Sequence, residues 1–219
     1  MEYTQHNISF NDVDLVFFDA PNNSTKWLLN EIFIQDVYKF NSMVFAPGDI
    51  VVDVGANIGL FSIYLAKKYP FLKIYSFEPF PINFSSFLKN LDENKVTNVI
   101  PVPLAITADR RRISLLATED NLGGATSYVY DPDASNKTEV VSSITLDDVF
   151  NMFDLKQIKM LKIDCEGGEY EILPTIKRLS SIEYLVGEFH YLYGHRDPKP
   201  LVDFCEKYFT SDKLQILCY

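Results

Sequence analysis

Two apolar rhythms alternate along most of this chain. Ile50-Val51-Val52-Asp53-Val54 is short, β-branched and apolar on both faces, the pattern of a strand buried inside a parallel sheet. It runs through Gly55-Ala56-Asn57-Ile58-Gly59 into residues 60–68, which carry a helical apolar face and end on Lys67 and Lys68, where cations complement the helix dipole. A second strand over 73–78 and a helix with Phe84, Phe87, Leu88 and Leu91 at helical spacing repeat the unit. Residues 99–105 read as a third strand. Pro101 and Pro103 point the same way along it, so their missing donors face an unpaired edge. From Arg110 to Val141 polar and β-forming residues alternate around Asn121-Leu122-Gly123-Gly124, which predicts a hairpin or lid. Thr145, with Asp148 three residues on, predicts a capped helix start. Buried strands follow over 158–164 and 183–190, with a helix over 169–179 between them that Pro174 kinks or restarts. A helix over 201–209 and a strand over 214–218 end the chain. Before all this, short strands over 8–10 and 15–18 and a helical stretch over 27–40 form an N-terminal cover, residues 1–48, packing on the domain 49–219. Strands alternating with helices make an α/β fold, a mostly parallel central sheet with helices on both faces.

Composition and charge narrow the chemistry. With 219 residues, 47% of them hydrophobic, the chain buries a core of ordinary size. A formal net charge of −10 gives no counterion-release drive towards nucleic acid, which is therefore not an expected partner. Cys165, Cys205 and Cys218 form no CxxC pair and read as core thiols of a reducing compartment. The first residues lack the basic and apolar regions of a secretory signal, and no apolar run nears about eighteen residues. A cytoplasmic protein without a membrane partner is expected.

A parallel sheet binds ligands at the carboxyl ends of strands where strand order reverses. There Gly55 and Gly59 permit a tight turn and close backbone approach to a ligand, and Glu78, ending the second strand, suits the two hydroxyls of a ribose. The bland reading is that the glycines only shape the turn and Glu78 caps the next element. Asn57 stands where G-x-G-x-x-G needs its second glycine, which disfavours pyrophosphate and a nicotinamide dehydrogenase. Asp164, Glu166 and Glu169 surround Gly167-Gly168, so two or three carboxylates rim one cleft, although Glu169 equally suits the first turn of its helix. Glu188 and His190 share a strand face, where His190 is either a proton acceptor, a substrate contact or a structural histidine. Asp147, Asp164, Glu166 and Glu188 have the hard oxygens a divalent cation takes, but nothing in their spacing demands a metal. Arg110-Arg111-Arg112 reads as a solvated turn or a grip on an anionic acceptor, and His6 and His195 as loop residues.

In order, Val52-Asp53-Val54-Gly55-Ala56-Asn57-Ile58-Gly59, Phe77-Glu78-Pro79, Thr145-Leu146-Asp147-Asp148, the run Leu161 to Tyr170 and Glu188-Phe189-His190 resemble the FkbM family of S-adenosylmethionine-dependent methyltransferases. The similarity covers about residues 49–190, and K-I-D-x-E-G-x-E is its most specific part. It implies a Rossmann-like class I methyltransferase fold and O-methylation of a hydroxyl on a sugar, glycan or secondary metabolite, releasing S-adenosylhomocysteine. It implies cofactor residues at Asp53, Gly55, Ala56, Asn57, Ile58, Gly59, Glu78, Pro79 and Ala105, and catalytic ones among Asp164, Glu166, Glu188 and His190. Gly168 stands where alanine is commoner, and the short chain after the fifth strand predicts a reduced terminal antiparallel pair. The competing reading is a non-catalytic nucleotide- or sugar-binding module on the same fold.

Overall fold

The computed structural model describes residues 3–19, 32, 35–118, 121–126, 136–191 and 197–218. In chain order the elements are β1 (Thr4–Phe10), β2 (Val13–Asp19), β3 (Ile50–Val54), α1 (Leu60–Lys68), β4 (Lys73–Phe77), α2 (Pro81–Glu93), β5 (Val99–Val102), β6 (Ala105–Ile106), β7 (Ile113–Thr118), β8 (Asn121–Thr126), β9 (Asn136–Val141), β10 (Ser143–Ile144), α3 (Leu146–Met152), β11 (Ile158–Ile163), α4 (Glu169–Ile172), β12 (Ile182–Phe189), α5 (Lys199–Cys205) and β13 (Leu214–Cys218). One six-stranded sheet runs β13-β12-β11-β3-β4-β5, and every neighbouring pair in it is parallel. Strand order reverses between β3 and β11, so the ligand edge lies at their carboxyl ends. β5 is the sheet edge that Pro101 requires, but the strand expected over 99–105 ends at Val102, and Ala105–Ile106 form β6, which pairs with β10 in a separate sheet. The expected terminal antiparallel pair is replaced by β13 lying parallel to β12.

Alternation along the strands divides the core. Val51, Ile74, Met160 and Val186 pack under α1, α2 and β2, whereas Val52, Val54, Tyr75, Phe77, Leu161 and Ile163 pack under α3, α4 and α5. Each such side chain contributes about 1.5–3 kcal/mol on burial, which is how four-residue α4 persists without the length an isolated helix needs. On the first face, a hairpin of β1 and β2 turns at Asn11 and Asp12, both with positive φ. Its free edge is closed by two buried asparagines, Asn90 of α2 and Asn94 at the C-cap of that helix. Asn90 accepts from the Phe18 N–H at 2.7 Å and donates to the carbonyls of Phe18 and Ile58, and Asn94 makes the same pair of bonds to Val16. The side-chain amides thus replace a neighbouring strand.

Several expectations change in the folded chain. Leu88 sits on the outer side of α2, 45% exposed. The helix expected over 169–179 ends at Ile172 and tightens into a 3-10 turn over Leu173–Thr175, because Pro174 has no N–H to continue it. The hairpin expected around Asn121 to Gly124 is formed by β7 and β8, which pair antiparallel in a sheet with β9, and these four residues lie on its second strand. Thr145 and Asp148 form the expected reciprocal capping box. Arg110 is taken by Asp148 and Arg111 by Glu171 and Asp109, so these two arginines pin α3 and α4 instead of gripping an anion. His6 lies on β1, and His195 falls outside the described residues. Cys205 is a core thiol but Cys218 is exposed. Half of the 27–40 stretch also falls outside the described residues, and its end forms a 3-10 turn at Phe40–Ser42. No helix among the described residues is long and apolar enough to cross a membrane.

Candidate active site

The turn after β3 is built by packing against the next strands. Gly55 and Ala56 both donate to the Phe77 carbonyl at 3.0 Å, which ties the turn to the end of β4. A Cβ on Gly55 would lie 1.8 Å from the Asp164 carbonyl oxygen, and one on Gly59 would lie 2.2 Å from the Phe87 ring. The glycines, both at positive φ, therefore serve the close approach of β11's end and of α2. Glu78 is buried at the end of β4. Its Oε2 accepts from the Asn57 N–H and its Oε1 from the Phe80 N–H, each at 2.8 Å, and burial pushes its pKa up to about 7. Asn57 keeps a left-handed φ of 53°, and its buried Oδ1 has no hydrogen-bond partner among the described residues.

Asp53 and Ile58 face inward. Ile58 belongs to the core, and Asp53 accepts from the Ser62 hydroxyl at 2.7 Å and pairs with Lys162 at 3.2 Å, itself wholly buried. Parallel register sets Lys162 beside Asp53. The Lys162 ammonium also donates to the Gly55 carbonyl at 2.9 Å and lies 3.4 Å from Asp164 Oδ2. One buried cation thus binds the glycine turn to the acidic end of β11. Ala105 is buried too, and its N–H is spent on the Ser142 carbonyl. Pro79 is half-buried beside Glu78.

Beyond β11, Glu166 takes a left-handed φ of 54° and Gly167 one of 103°, a strained turn that keeps Glu166 at the cleft. Glu169 is fully buried and accepts from the Cys165 and Gly167 N–H groups, so it holds this turn together. His190 follows β12 and sits among carboxylates, with Glu166 at 3.6 Å, Glu169 at 3.7 Å and Glu188 at 4.0 Å. Asp164, Glu166 and His190 each offer one atom of a set lying within 4.8 Å, a geometry able to hold a metal ion. Asp147 is elsewhere, accepting from the Lys177 N–H.

Burial alone would lower the His190 pKa, but Glu169, Glu166 and Asp164 outweigh it and lift it from 6.5 to about 9. The ring is therefore an imidazolium at neutral pH. Burial lifts Glu166 from 4.5 to about 7, although a third of its side chain is exposed and its share is the smaller. Each group holds a proton in the folded chain that the unfolded chain has released over its own window. Stability from Glu166 and Glu78 is lost between about pH 4.5 and 7, and that from His190 is complete below 6.5 and lost as pH rises through 9. Unfolding midpoints followed by circular dichroism are expected to fall from pH 6 to pH 9.5, with His190→Gln flattening the slope; a level or rising midpoint defeats this account.

Comparison with known proteins places this edge in context. The family model for the methyltransferase FkbM domain matches residues 53–211, most of the chain. The chain belongs to the FkbM methyltransferase family. Among curated relatives, Methyltransferase 1 of Beauveria bassiana is 28% identical over 70% of this chain and 68% of its own. The 31-O-demethyl-FK506 methyltransferase FkbM of Streptomyces tacrolimicus is 28% identical over 77% of this chain and 76% of its own. The hexuronic acid methyltransferase AglP of Haloferax volcanii is 26% identical over 71% and 62%. The FkbM match encloses Glu78, Lys162, Asp164, Glu166, Glu188 and His190 but starts after Tyr38, whose hydroxyl donates to Glu188 Oε1 at 2.9 Å. Neither Lys162 nor Tyr38 was given a role by the sequence. Lys162 was legible as the first residue of K-I-D-x-E-G-x-E and as a charge in an otherwise buried strand, and Tyr38 carried no motif.

Proposed function

We propose that this FkbM-family methyltransferase uses S-adenosylmethionine to methylate a hydroxyl on a sugar, glycan or other secondary metabolite. One observation carries the reading. Gly55 lies so close to the Asp164 carbonyl that the glycine turn and the acid-histidine group share one sheet edge. The cofactor fits its side of that edge on two counts. Glu78 has capacity beyond its two backbone bonds for ribose hydroxyls, and the orphaned Asn57 Oδ1 awaits a donor such as an amino group. When bound, the cofactor supplies an electrophilic methyl group on a positively charged sulfur. Asp164, Glu166, Glu169 and Glu188 make the neighbourhood favourable for that charge.

An acceptor alcohol must surrender its proton, and of the two sequence candidates Asp164 is the better placed. His190 already carries a proton at neutral pH, whereas Asp164 is partly exposed at the edge. His190 then orients the acceptor or steadies the carboxylates. The names of the Streptomyces and Haloferax relatives, one a 31-O-demethyl compound and one a hexuronic acid, support an oxygen acceptor. A net charge of −10 argues against nucleic acid.

The test is release of S-adenosylhomocysteine from S-adenosylmethionine with a panel of hydroxylated acceptors. Release with a sugar or polyol supports the reading, and cofactor binding without release from any acceptor supports a non-catalytic module. A parallel arm with EDTA is expected to keep the rate within about twofold, since methyl transfer to oxygen needs only alignment and proton removal. Glu78→Ala is expected to weaken cofactor binding by about 1.5–3 kcal/mol, the scale for a hydrogen bond to a charged group. Calorimetry showing unchanged affinity removes Glu78 from the cofactor site.

A further inference from the structure

Tyr38 stands outside the region that the FkbM match covers, yet it is 1% exposed and its hydroxyl meets both acidic strand ends. It donates to Glu188 Oε1 at 2.9 Å and lies 3.3 Å from Asp164 Oδ2. We propose that Tyr38 is a positioning residue of the methyl-transfer site, fixing the Asp164 carboxylate against the acceptor, so that the segment before the family domain completes the active centre. This rests on the O-methyl-transfer reading above.

The ring has little freedom. It packs edge-on against Phe61 of α1 with centroids 5.7 Å apart, and the Lys162 ammonium lies 5.8 Å from its centroid. Two residues on, the wholly buried Phe40 packs on Phe61 and Tyr64, so the chain is anchored to α1 on both sides of Lys39. The hydroxyl is thus delivered by a rigid wall. Both contacts described for the Asp164 carboxylate, from Tyr38 and from Lys162, fall on Oδ2. Tyr38 has one hydroxyl proton, shared between Glu188 Oε1 at 2.9 Å and Asp164 Oδ2 at 3.3 Å, and with the Lys162 ammonium on the same oxygen it sets the plane of the Asp164 carboxylate, which a proton acceptor aligned with an in-line displacement requires. A phenylalanine would fill the same space without a buried hydroxyl needing partners. The hydroxyl stays a donor: burial, Asp164 and Glu188 push its pKa well above 10. It therefore orients carboxylates and takes no proton from the acceptor.

Tyr38→Phe removes only the oxygen. Crystal structures of wild type and variant with S-adenosylhomocysteine, melting curves, calorimetry with S-adenosylmethionine and kinetics with the acceptor found by the panel test the proposal. Expected are cofactor affinity within about twofold, a displaced or doubled Asp164 carboxylate, a shifted acid limb of the kcat profile, and kcat lowered about 10- to 100-fold at little-changed acceptor KM, the scale of a small misplacement. An Asp164 carboxylate that stays in place in Tyr38→Phe, or an unchanged kcat, overturns it. If wild type methylates nothing in the panel, the methyl-transfer reading fails by itself, and the Asp164 position in the two crystal structures still decides the role of Tyr38.

Discussion

Lys162→Met is expected to destabilise the protein by about 3–5 kcal/mol, the cost of leaving one partner of a buried ion pair uncompensated. Asp53 would remain as a fully buried carboxylate with only the Ser62 hydroxyl, and Asp164 and the Gly55 carbonyl would each lose their contact with the ammonium. For a chain of this length, about 2–4 °C of unfolding midpoint accompanies each kcal/mol, so a fall of roughly 6–20 °C should be seen by circular dichroism. The pair is worth far less as a whole than either charge alone, because its attraction largely repays its own desolvation. The double variant Asp53→Asn with Lys162→Met should therefore recover much of the loss. A single variant melting within about 1 kcal/mol of wild type, or a double variant worse than the single, would show that Lys162 does not carry this charge balance.

Asp164→Asn should lower methyl transfer by about 10²–10⁴-fold, the usual contribution of a general base. The amide keeps the size of the carboxylate and an oxygen for the Tyr38 hydroxyl, so folding and cofactor affinity should change by no more than a few-fold. His190→Gln should cost less, because an imidazolium has no lone pair with which to accept a proton. Single-turnover rates at saturating cofactor and acceptor separate the chemistry from binding. If Asp164→Asn keeps near wild-type rates while His190→Gln loses them, the proton acceptor is the histidine and its charge state changes when the acceptor binds.

Much of the scaffold was written locally. Residues 50–68 form strand, turn and helix as predicted: the short β-branched run, apolar on both faces, is the buried β3, and α1 follows the turn, with Leu60 to Ala66 all buried where a single apolar face was expected. The capping box at Thr145 and the edge position of Pro101 follow equally from the chemistry of single residues. K-I-D-x-E-G-x-E and the glycine turn were enough to name the FkbM family. The orientation of β13 and the exposure of Leu88 were not legible, because each depends on which surface is left for it to cover.

The site divides in the same way. Sequence by itself determined that Glu78, Asp164, Glu188 and His190 fall at strand ends on one edge of a parallel sheet. Only the tertiary structure decided what they do there. The partner of Asp53 is Lys162, brought alongside by strand register across more than a hundred residues of chain. The space a Cβ would need at Gly55 is filled by the Asp164 carbonyl, and Tyr38 arrives from a segment with no motif. The charge on His190 is the sum of fields from three separate carboxylates opposing its burial. Such through-space sums act over a few ångströms between distant parts of the chain, and no local pattern of residues encodes them.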